Sequence, residues 1–265
     1  VGLSKVKKTT QYITEMRKLS LKDISVDVPK VVEFSNNRSM GQGAELLAQQ
    51  SDTLREEADQ FAFRSHQKAA AAQKQGIFYD QLVPVGVSPR FKLVTKDDGP
   101  RPDTTMEKLA KLRPAFDRQF GLSTAGNSSF LTDGASALLM MSWQKAEESG
   151  QEPLGILRDY VYGAGDPLND MLTGPALTIP RLLEKNKLTV DDIDVWEIHE
   201  AFASQVVSNL HYLKSRDFCC HRLGLEKVVG EIPMEKLNIW GGSLSIGHPF
   251  GATGVRLLTT AVKRL

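Results

Sequence analysis

The segment that most constrains how this chain can fold is a glycine-rich stretch, GGSLSIGHPFGATG, at residues 241–254. It predicts a strand that ends in a tight Gly-His-Pro turn, followed by a helix from Thr253 to Arg264. We then expect His248 where backbone N–H groups and the positive end of a helix dipole converge. An imidazole there can donate a hydrogen bond to a developing oxyanion or take a proton from a nucleophile. The residues alone leave a purely structural histidine equally open.

A second histidine, His199, is predicted at another junction between a strand and a helix. Because ligands bind at the carboxyl ends of strands in an open parallel sheet, we expect His199 and His248 to meet there. The zinc motif H-E-x-x-H is not formed, since Ala203 stands four residues after His199, and this disfavours a metal site. Glu197 and Glu200 are candidates for acid and base, although carboxylates at the start of a helix more often serve as capping and dipole partners.

The pattern of apolar residues changes along the chain. From residue 124 onward, short apolar strands alternate with amphipathic helices, which predicts an α/β architecture with a mostly parallel sheet. The part before residue 124 is mixed, with one long helical pattern and one strand-like run. The predicted strands are 82–87, 155–161 and 193–198, and the predicted helices are 40–76, 133–149, 201–213 and 253–264.

The distribution of charge disfavours some classes of partner. The chain has 33 basic and 32 acidic residues and a formal net charge of +1, so it has no large field of one sign that would favour nucleic acid. No uninterrupted apolar run approaches the roughly 18 to 20 residues that cross a bilayer. An excess of lysine and arginine at residues 5–18 favours either a solvated basic helix or contact with an anionic membrane surface.

Two further clusters are less specific. Cys219 and Cys220 precede His221, but adjacent side chains rarely form a productive pair of nucleophile and base, so we expect surface or packing thiols. The small polar residues at 124–129 suit either the close approach of a ligand or an ordinary loop.

Taken together, the ordered motifs resemble those of the thiolase family. The resemblance implies an α/β fold with layered αβαβα architecture and a loop domain, incomplete at both ends of this chain. Residues 1–120 would form the loop domain, 121–152 the end of the amino-terminal half, and 153–265 the carboxyl-terminal half without its last strands. The matching motifs are Met40-Gly41, LAKLRPAF at 109–116, TAGNSS at 124–129, Asp133-Gly134, Asp166-Pro167, Gly174-Pro175, HEAF at 199–202 and GHPFGATG at 247–254.

The resemblance also implies an activity, that of an acetyl-CoA acyltransferase that cleaves 3-ketoacyl-CoA by thiolysis in fatty-acid β-oxidation. His248 would activate a cysteine nucleophile and contribute to an oxyanion hole. His199 would replace the asparagine that holds a water in that hole. CoA would be a co-substrate, with no resident cofactor or metal. The residues that would line the pocket for the pantetheine and acyl chains are Ser129, Phe116, Met40, Met171 and Phe202.

The chain also departs from the family pattern. Neither family cysteine is present, since Cys219 and Cys220 match neither the nucleophile nor the acid/base cysteine of the C-x-G motif. We therefore expect part of a longer thiolase; the alternative is a truncated, non-catalytic subunit that binds CoA or acts as a scaffold. The resemblance implies a homodimer, association with a hydratase/dehydrogenase α subunit and a mitochondrial location, in the matrix or at the inner membrane. A bacterial cytoplasm is the alternative location.

Overall fold

The long helical pattern near the start of the chain forms two helices. In the computed structural model, which describes residues 32–265, α1 spans Met40–Gln50 and α2 spans Arg55–Lys74. The side chain of Ser39 caps α1 by accepting a hydrogen bond from the backbone N–H of Gln42. The helical character expected at 40–76 is confirmed but divided between two helices, because the chain turns at Asp52, where φ is +53°. The basic segment at residues 5–18, for which membrane contact was expected, lies outside the described residues.

The remaining elements are short, and most are helical. Two strands, β1 (Val85–Val87) and β2 (Lys92–Val94), form an antiparallel pair. The further helices in the described part of the chain are α3 (Met106–Ala110), α4 (Trp143–Ser149), α5 (Gly174–Asn186), α6 (Ala203–Lys214), α7 (Ser243–Ile246) and α8 (Thr253–Arg264), together with a π-helical turn at Asp217–Arg222. Among residues 32–265, no helix is long and apolar enough to span a membrane.

The predicted parallel strands are only partly formed. Parallel pairing within residues 32–265 is limited to one bridge between Trp196 and Leu237, so the strand expected at 193–198 is reduced to this bridge. The strand expected to end in the Gly-His-Pro turn was wrong, because residues 243–246 form the short helix α7. The strand expected at 155–161 is not formed, and its Ile156 side chain is 73% exposed. A strand is stabilised by hydrogen bonds to a neighbour, and no described segment pairs with 155–161.

Some predicted helices agree better with the structure than others. The helix expected at 133–149 was wrong over its first ten residues, because α4 begins only at Trp143, after the cap at Ser142. Residues 131–141 have no regular structure, and their large apolar side chains are exposed. The helix at 253–264 is confirmed as α8, and the helix at 201–213 is confirmed as α6 with its bounds shifted.

Helix α6 lies at the centre of the core. Its side chains are buried on almost every face, which is typical of a helix surrounded by others. It packs against α1, α2, α5 and the π-helical turn. Small residues such as Ala203, Ser204 and Ser208 allow the neighbouring helices to approach closely. This packing fixes the segment that leads into α6, which carries His199.

Candidate active site

The backbone around His199 is held by an asparagine side chain. The bridge between Trp196 and Leu237 brings Asn238 alongside the segment. The side-chain Oδ1 of Asn238 accepts a hydrogen bond from the backbone N–H of Ile198 at 2.9 Å, and its Nδ2 donates to the carbonyl of Ile198 at 2.8 Å. The amide therefore takes the place of the next backbone pair of a parallel ladder. His199 follows directly, at a position that the amide fixes.

The two glutamates that flank His199 have structural partners. Glu197 forms an ion pair with Arg264 in which both side chains are less than 5% exposed. Glu200 is buried and accepts hydrogen bonds from the hydroxyl of Ser65 at 2.7 Å and from Nδ2 of Asn238 at 2.6 Å. Burial raises the pKa of both carboxyls. These contacts favour the structural interpretation of the glutamates over a role as acid and base.

His248 is placed by a glycine and by the first turn of α8. Gly247 has φ +95°, and a Cβ atom there would lie 2.2 Å from the Thr132 side chain, so only glycine fits. The backbone N–H of His248 donates to Oγ1 of Thr132 at 3.3 Å. On the other side, Nδ1 of His248 lies 2.7 Å from Oγ1 of Thr253, whose hydroxyl also reaches the carbonyl of Pro249. His248 is thereby held at its backbone N–H and at one ring nitrogen.

The structure brings the two imidazoles together. The ring centroids of His199 and His248 are 4.0 Å apart, with an angle of 46° between the planes. Burial, followed by the basic groups of His248 and Arg256, lowers the pKa of His199 to about 4. Burial, followed by the charge of Arg256, also lowers the pKa of His248. Both rings are therefore largely neutral at pH 7, and a neutral imidazole has one nitrogen that donates and one that accepts.

Three of the predicted pocket residues lie against one another. The rings of Phe116 and Phe202 meet edge to face with centroids 5.7 Å apart. The backbone N–H of Ser129 donates to the carbonyl of Ala201 at 2.8 Å, next to Phe202. Because Phe202 stands three residues after His199, this cluster is continuous with the histidine pair through a short, well-anchored segment.

The other two predicted pocket residues lie at α1. Met40 is the first residue of that helix and is 43% exposed. A Cβ atom at Gly41 would lie 2.4 Å from the ring of Phe116, so Phe116 packs directly on the start of the helix. A Cβ atom at Gly43 would lie 2.9 Å from Cε of Met171. The two glycines therefore make room for the two side chains on the same helix.

Two cavities of about 380 Å³ lie elsewhere in the described part of the chain. One is lined by residues of α2 and α6, among them Arg64 and His211, and the other by residues of α5 and α8. Neither is lined by His199 or His248. The chemistry of the side chains, and not enclosed volume, marks the candidate site.

The sequence did not predict the side chains that support His199 at Nδ1. Nδ1 of His199 lies 3.0 Å from Oγ of Ser243, and Nη2 of Arg256 donates to the same oxygen at 2.8 Å. Ser243 and Arg256 fall within or just after the glycine-rich stretch, so their position in the motif was visible. Their contact with His199 was not, because it joins residues 44 positions apart.

The cysteines do not lie beside the histidines as nucleophiles. Cys219 is fully buried, and its Sγ donates to the carbonyls of Tyr212 and Leu213 at 3.3 and 3.4 Å. Burial raises the pKa of this thiol, which suits a packing residue. Cys220 is partly buried on the same π-helical turn. Within residues 32–265, no group of three or more His, Cys, Asp or Glu side chains is placed to hold a metal ion.

Comparison with known protein families identifies the class. The model of the thiolase amino-terminal domain matches residues 3–144, and the model of the thiolase carboxyl-terminal domain matches residues 151–265. The chain therefore belongs to the thiolase family. The domain boundaries expected near residues 120 and 152 stay a prediction.

Two relatives within the thiolase family show how similar the chain is to individual proteins. Over its whole length the chain is 46% identical to the mitochondrial trifunctional enzyme subunit beta of Mus musculus and 43% identical to 3-ketoacyl-CoA thiolase of Aliivibrio fischeri. It spans only 55% and 60% of these two proteins, respectively.

Solved structures agree with this assignment. The acetyl-CoA acetyltransferase of Bacillus anthracis is 38% identical with a TM-score of 0.76, and human mitochondrial 3-ketoacyl-CoA thiolase is 30% identical with a TM-score of 0.73. Each comparison covers 89% of this chain and 55% of the solved chain. The predicted α/β class is confirmed as the thiolase fold.

Proposed function

We propose that this chain contains the two active-site histidines, His199 and His248, of a 3-ketoacyl-CoA thiolase. Such an enzyme is an acetyl-CoA acyltransferase of fatty-acid β-oxidation. The observation that carries the proposal is the pair of imidazoles, His199 and His248, at a centroid distance of 4.0 Å. Membership of the thiolase family supports it, as does 43% identity, over the whole of this chain, to a 3-ketoacyl-CoA thiolase.

The proposed reaction has two stages. A cysteine thiolate adds to the 3-keto carbon, the bond between C2 and C3 breaks, and acetyl-CoA leaves after C2 gains a proton. The thiolate of a second CoA then attacks the acyl-enzyme thioester and releases the shortened acyl-CoA together with the cysteine. In the first stage His248 accepts the proton of the cysteine thiol, which balances the proton that C2 gains. In the second stage it accepts the proton of the CoA thiol and returns it to the released cysteine. His199 donates a hydrogen bond toward the oxyanion. The attacking cysteine comes from outside these residues, because Cys219 is turned toward backbone carbonyls.

The CoA side of the site would be formed by the clusters at α1 and Phe202. A slim amide chain and an acyl tail need apolar walls with few polar partners. The side chains of Phe116, Phe202, Met40 and Met171 supply such walls, and Ser129 lies beside them. CoA enters as a co-substrate, and the proposed chemistry needs no resident cofactor or metal.

The likeness to the trifunctional enzyme subunit beta supports an assembly and a location. We propose a homodimer that associates with a hydratase/dehydrogenase α subunit in mitochondria, in the matrix or at the inner membrane. Similarity to bacterial 3-ketoacyl-CoA thiolases supports the bacterial cytoplasm as the alternative. Co-purification with the α subunit of the source organism tests this assembly, and elution of the thiolase without it contradicts the association.

The activity is tested by His248→Ala in the full-length thiolase that contains these residues. Loss of the proposed general base is expected to lower kcat by roughly 10²- to 10⁴-fold in CoA-dependent cleavage of a 3-ketoacyl-CoA. His221→Ala is the matched control, because His221 is exposed and pairs with Asp217. Near-normal turnover of His248→Ala would remove the role assigned to it.

A second candidate function is a non-catalytic subunit that binds CoA or acts as a scaffold. The observation in its favour is that neither cysteine of the chain lies beside the histidines as a nucleophile. Calorimetric CoA binding that survives iodoacetamide, without cleavage of a 3-ketoacyl-CoA, would favour this function. Cleavage that iodoacetamide abolishes would favour the thiolase.

A further inference from the structure

A chain of hydrogen-bonded side chains lies behind His199. The guanidinium of Arg256 donates from Nη2 to Oγ of Ser243 at 2.8 Å, and the same oxygen lies 3.0 Å from Nδ1 of His199. Ser243 is fully buried as the first residue of α7. Its hydroxyl therefore has no access to water and must satisfy its proton within the protein.

The chemistry of the three groups fixes the direction of each hydrogen bond. A guanidinium only donates, so the Ser243 oxygen accepts from Arg256 and its single proton remains to be placed. Among residues 32–265, the acceptor within hydrogen-bonding distance of this hydroxyl is Nδ1 of His199. A buried donor without a partner costs about 1–3 kcal/mol. The Ser243 hydroxyl therefore donates to Nδ1, which must be the bare nitrogen of the ring.

The charges around His199 keep the ring neutral. Arg256 and His248 face it as basic groups, and both disfavour a second proton. The nearby carboxylates are already engaged, Glu197 by Arg264 and Glu200 by buried donors. A neutral imidazole with a bare Nδ1 carries its one proton on Nε2. Among the described residues, Nε2 of His199 makes no hydrogen bond, so this N–H is free for a ligand.

We propose that Ser243, supported by Arg256, is a positioning residue that holds His199 as the Nε2–H tautomer and so presents a hydrogen-bond donor to the site. The proposal deepens the thiolase assignment and rests on it, since an oxyanion needs a donor and the opposite tautomer would present a lone pair to it. Ser243 and Arg256 act through His199 and need not touch the substrate.

The test is a tautomer measurement by NMR on the full-length thiolase that contains these residues, labelled with ¹⁵N-histidine, at neutral pH and without substrate. The ring nitrogens of His199 are assigned by comparison with His199→Gln. The wild-type protein is expected to show Nε2 protonated and Nδ1 bare. Ser243→Ala removes the donor to Nδ1 and is expected to convert His199 into a mixture of both tautomers. Ser243→Thr keeps the hydroxyl and is expected to restore the Nε2–H form.

Ser245→Ala is the matched control, because Ser245 is equally buried on α7 but bonds to Ser65 and Gly242. It is expected to leave the tautomer of His199 unchanged. A wild-type spectrum with the proton on Nδ1 overturns the proposal even if the variants fail to fold. An unchanged tautomer in Ser243→Ala, or an equal change in Ser245→Ala, also overturns it. Because no turnover is measured, failure of the thiolase activity alone would leave the tautomer assignment intact.

Discussion

The backbone around His199 and the segment at residues 131–168 differ in how far their side chains are buried. Around His199, the Asn238 amide, the Glu200 carboxylate and the Arg264 guanidinium bind the backbone or one another in buried positions. In residues 131–168, by contrast, Leu139 and Leu154 are 81% and 80% exposed. Side-chain contacts can therefore fix the segment around His199 where parallel pairing contributes only one bridge, whereas residues 131–168 have no regular structure outside α4.

The largest effect is expected from breaking the buried ion pair with Arg264→Met. The change leaves the Glu197 carboxylate buried and unpaired and frees the carbonyls of Trp196 and Lys236. Urea unfolding at pH 7 should report a loss of about 3–5 kcal/mol.

The control for this variant is Lys214→Met, which breaks the exposed pair between Lys214 and Glu231. It should change the free energy of unfolding by less than about 1 kcal/mol. Similar losses for Lys214→Met and Arg264→Met would mean that the ion pair does not anchor the segment around His199.

A smaller change in the free energy of unfolding is expected when the pH is lowered, because of His199. The folded pKa is about 4 and the ordinary value is 6.5, so between these values the unfolded chain binds more protons than the folded one. The contribution of the neutral His199 side chain to the free energy of unfolding is fully present above pH 6.5 and is lost as the pH falls toward 4. His199→Gln should therefore flatten the fall in unfolding free energy between pH 6.5 and pH 4. The exposed His221 provides the control, and an equal flattening by His221→Gln would contradict the assignment.

The smallest effect is expected in the exposed segment. Leu139→Ser places a polar group where the side chain is already 81% exposed. The free energy of unfolding should change by no more than about 0.5 kcal/mol. A loss of 2 kcal/mol or more would show that Leu139 is covered in solution, and the contrast between the two regions would then fail.

The sequence predicted local structure better than contacts between residues that are far apart in the chain. Helix α8 was predicted with its observed bounds, because its apolar period and the turn before it are local signals. The strand at 155–161 was not, because strand formation depends on a partner that the pattern of that segment does not specify. Likewise, both histidines were identified from their motifs, but the support of Ser243 and Arg256 for His199 exists only in the folded chain.

The turn at Gly247 has a consequence for how the two thiolase regions work together. Thr132, which fills the space beside Gly247 and receives the N–H of His248, belongs to the region matched by the amino-terminal model. His248 itself belongs to the carboxyl-terminal region. His248 is thus held across the boundary between the two regions. In the proposed reaction, a displacement of one region against the other by about an ångström would misalign the proton acceptor with its thiol. Rigidity at this boundary is therefore a condition for the proposed proton transfer.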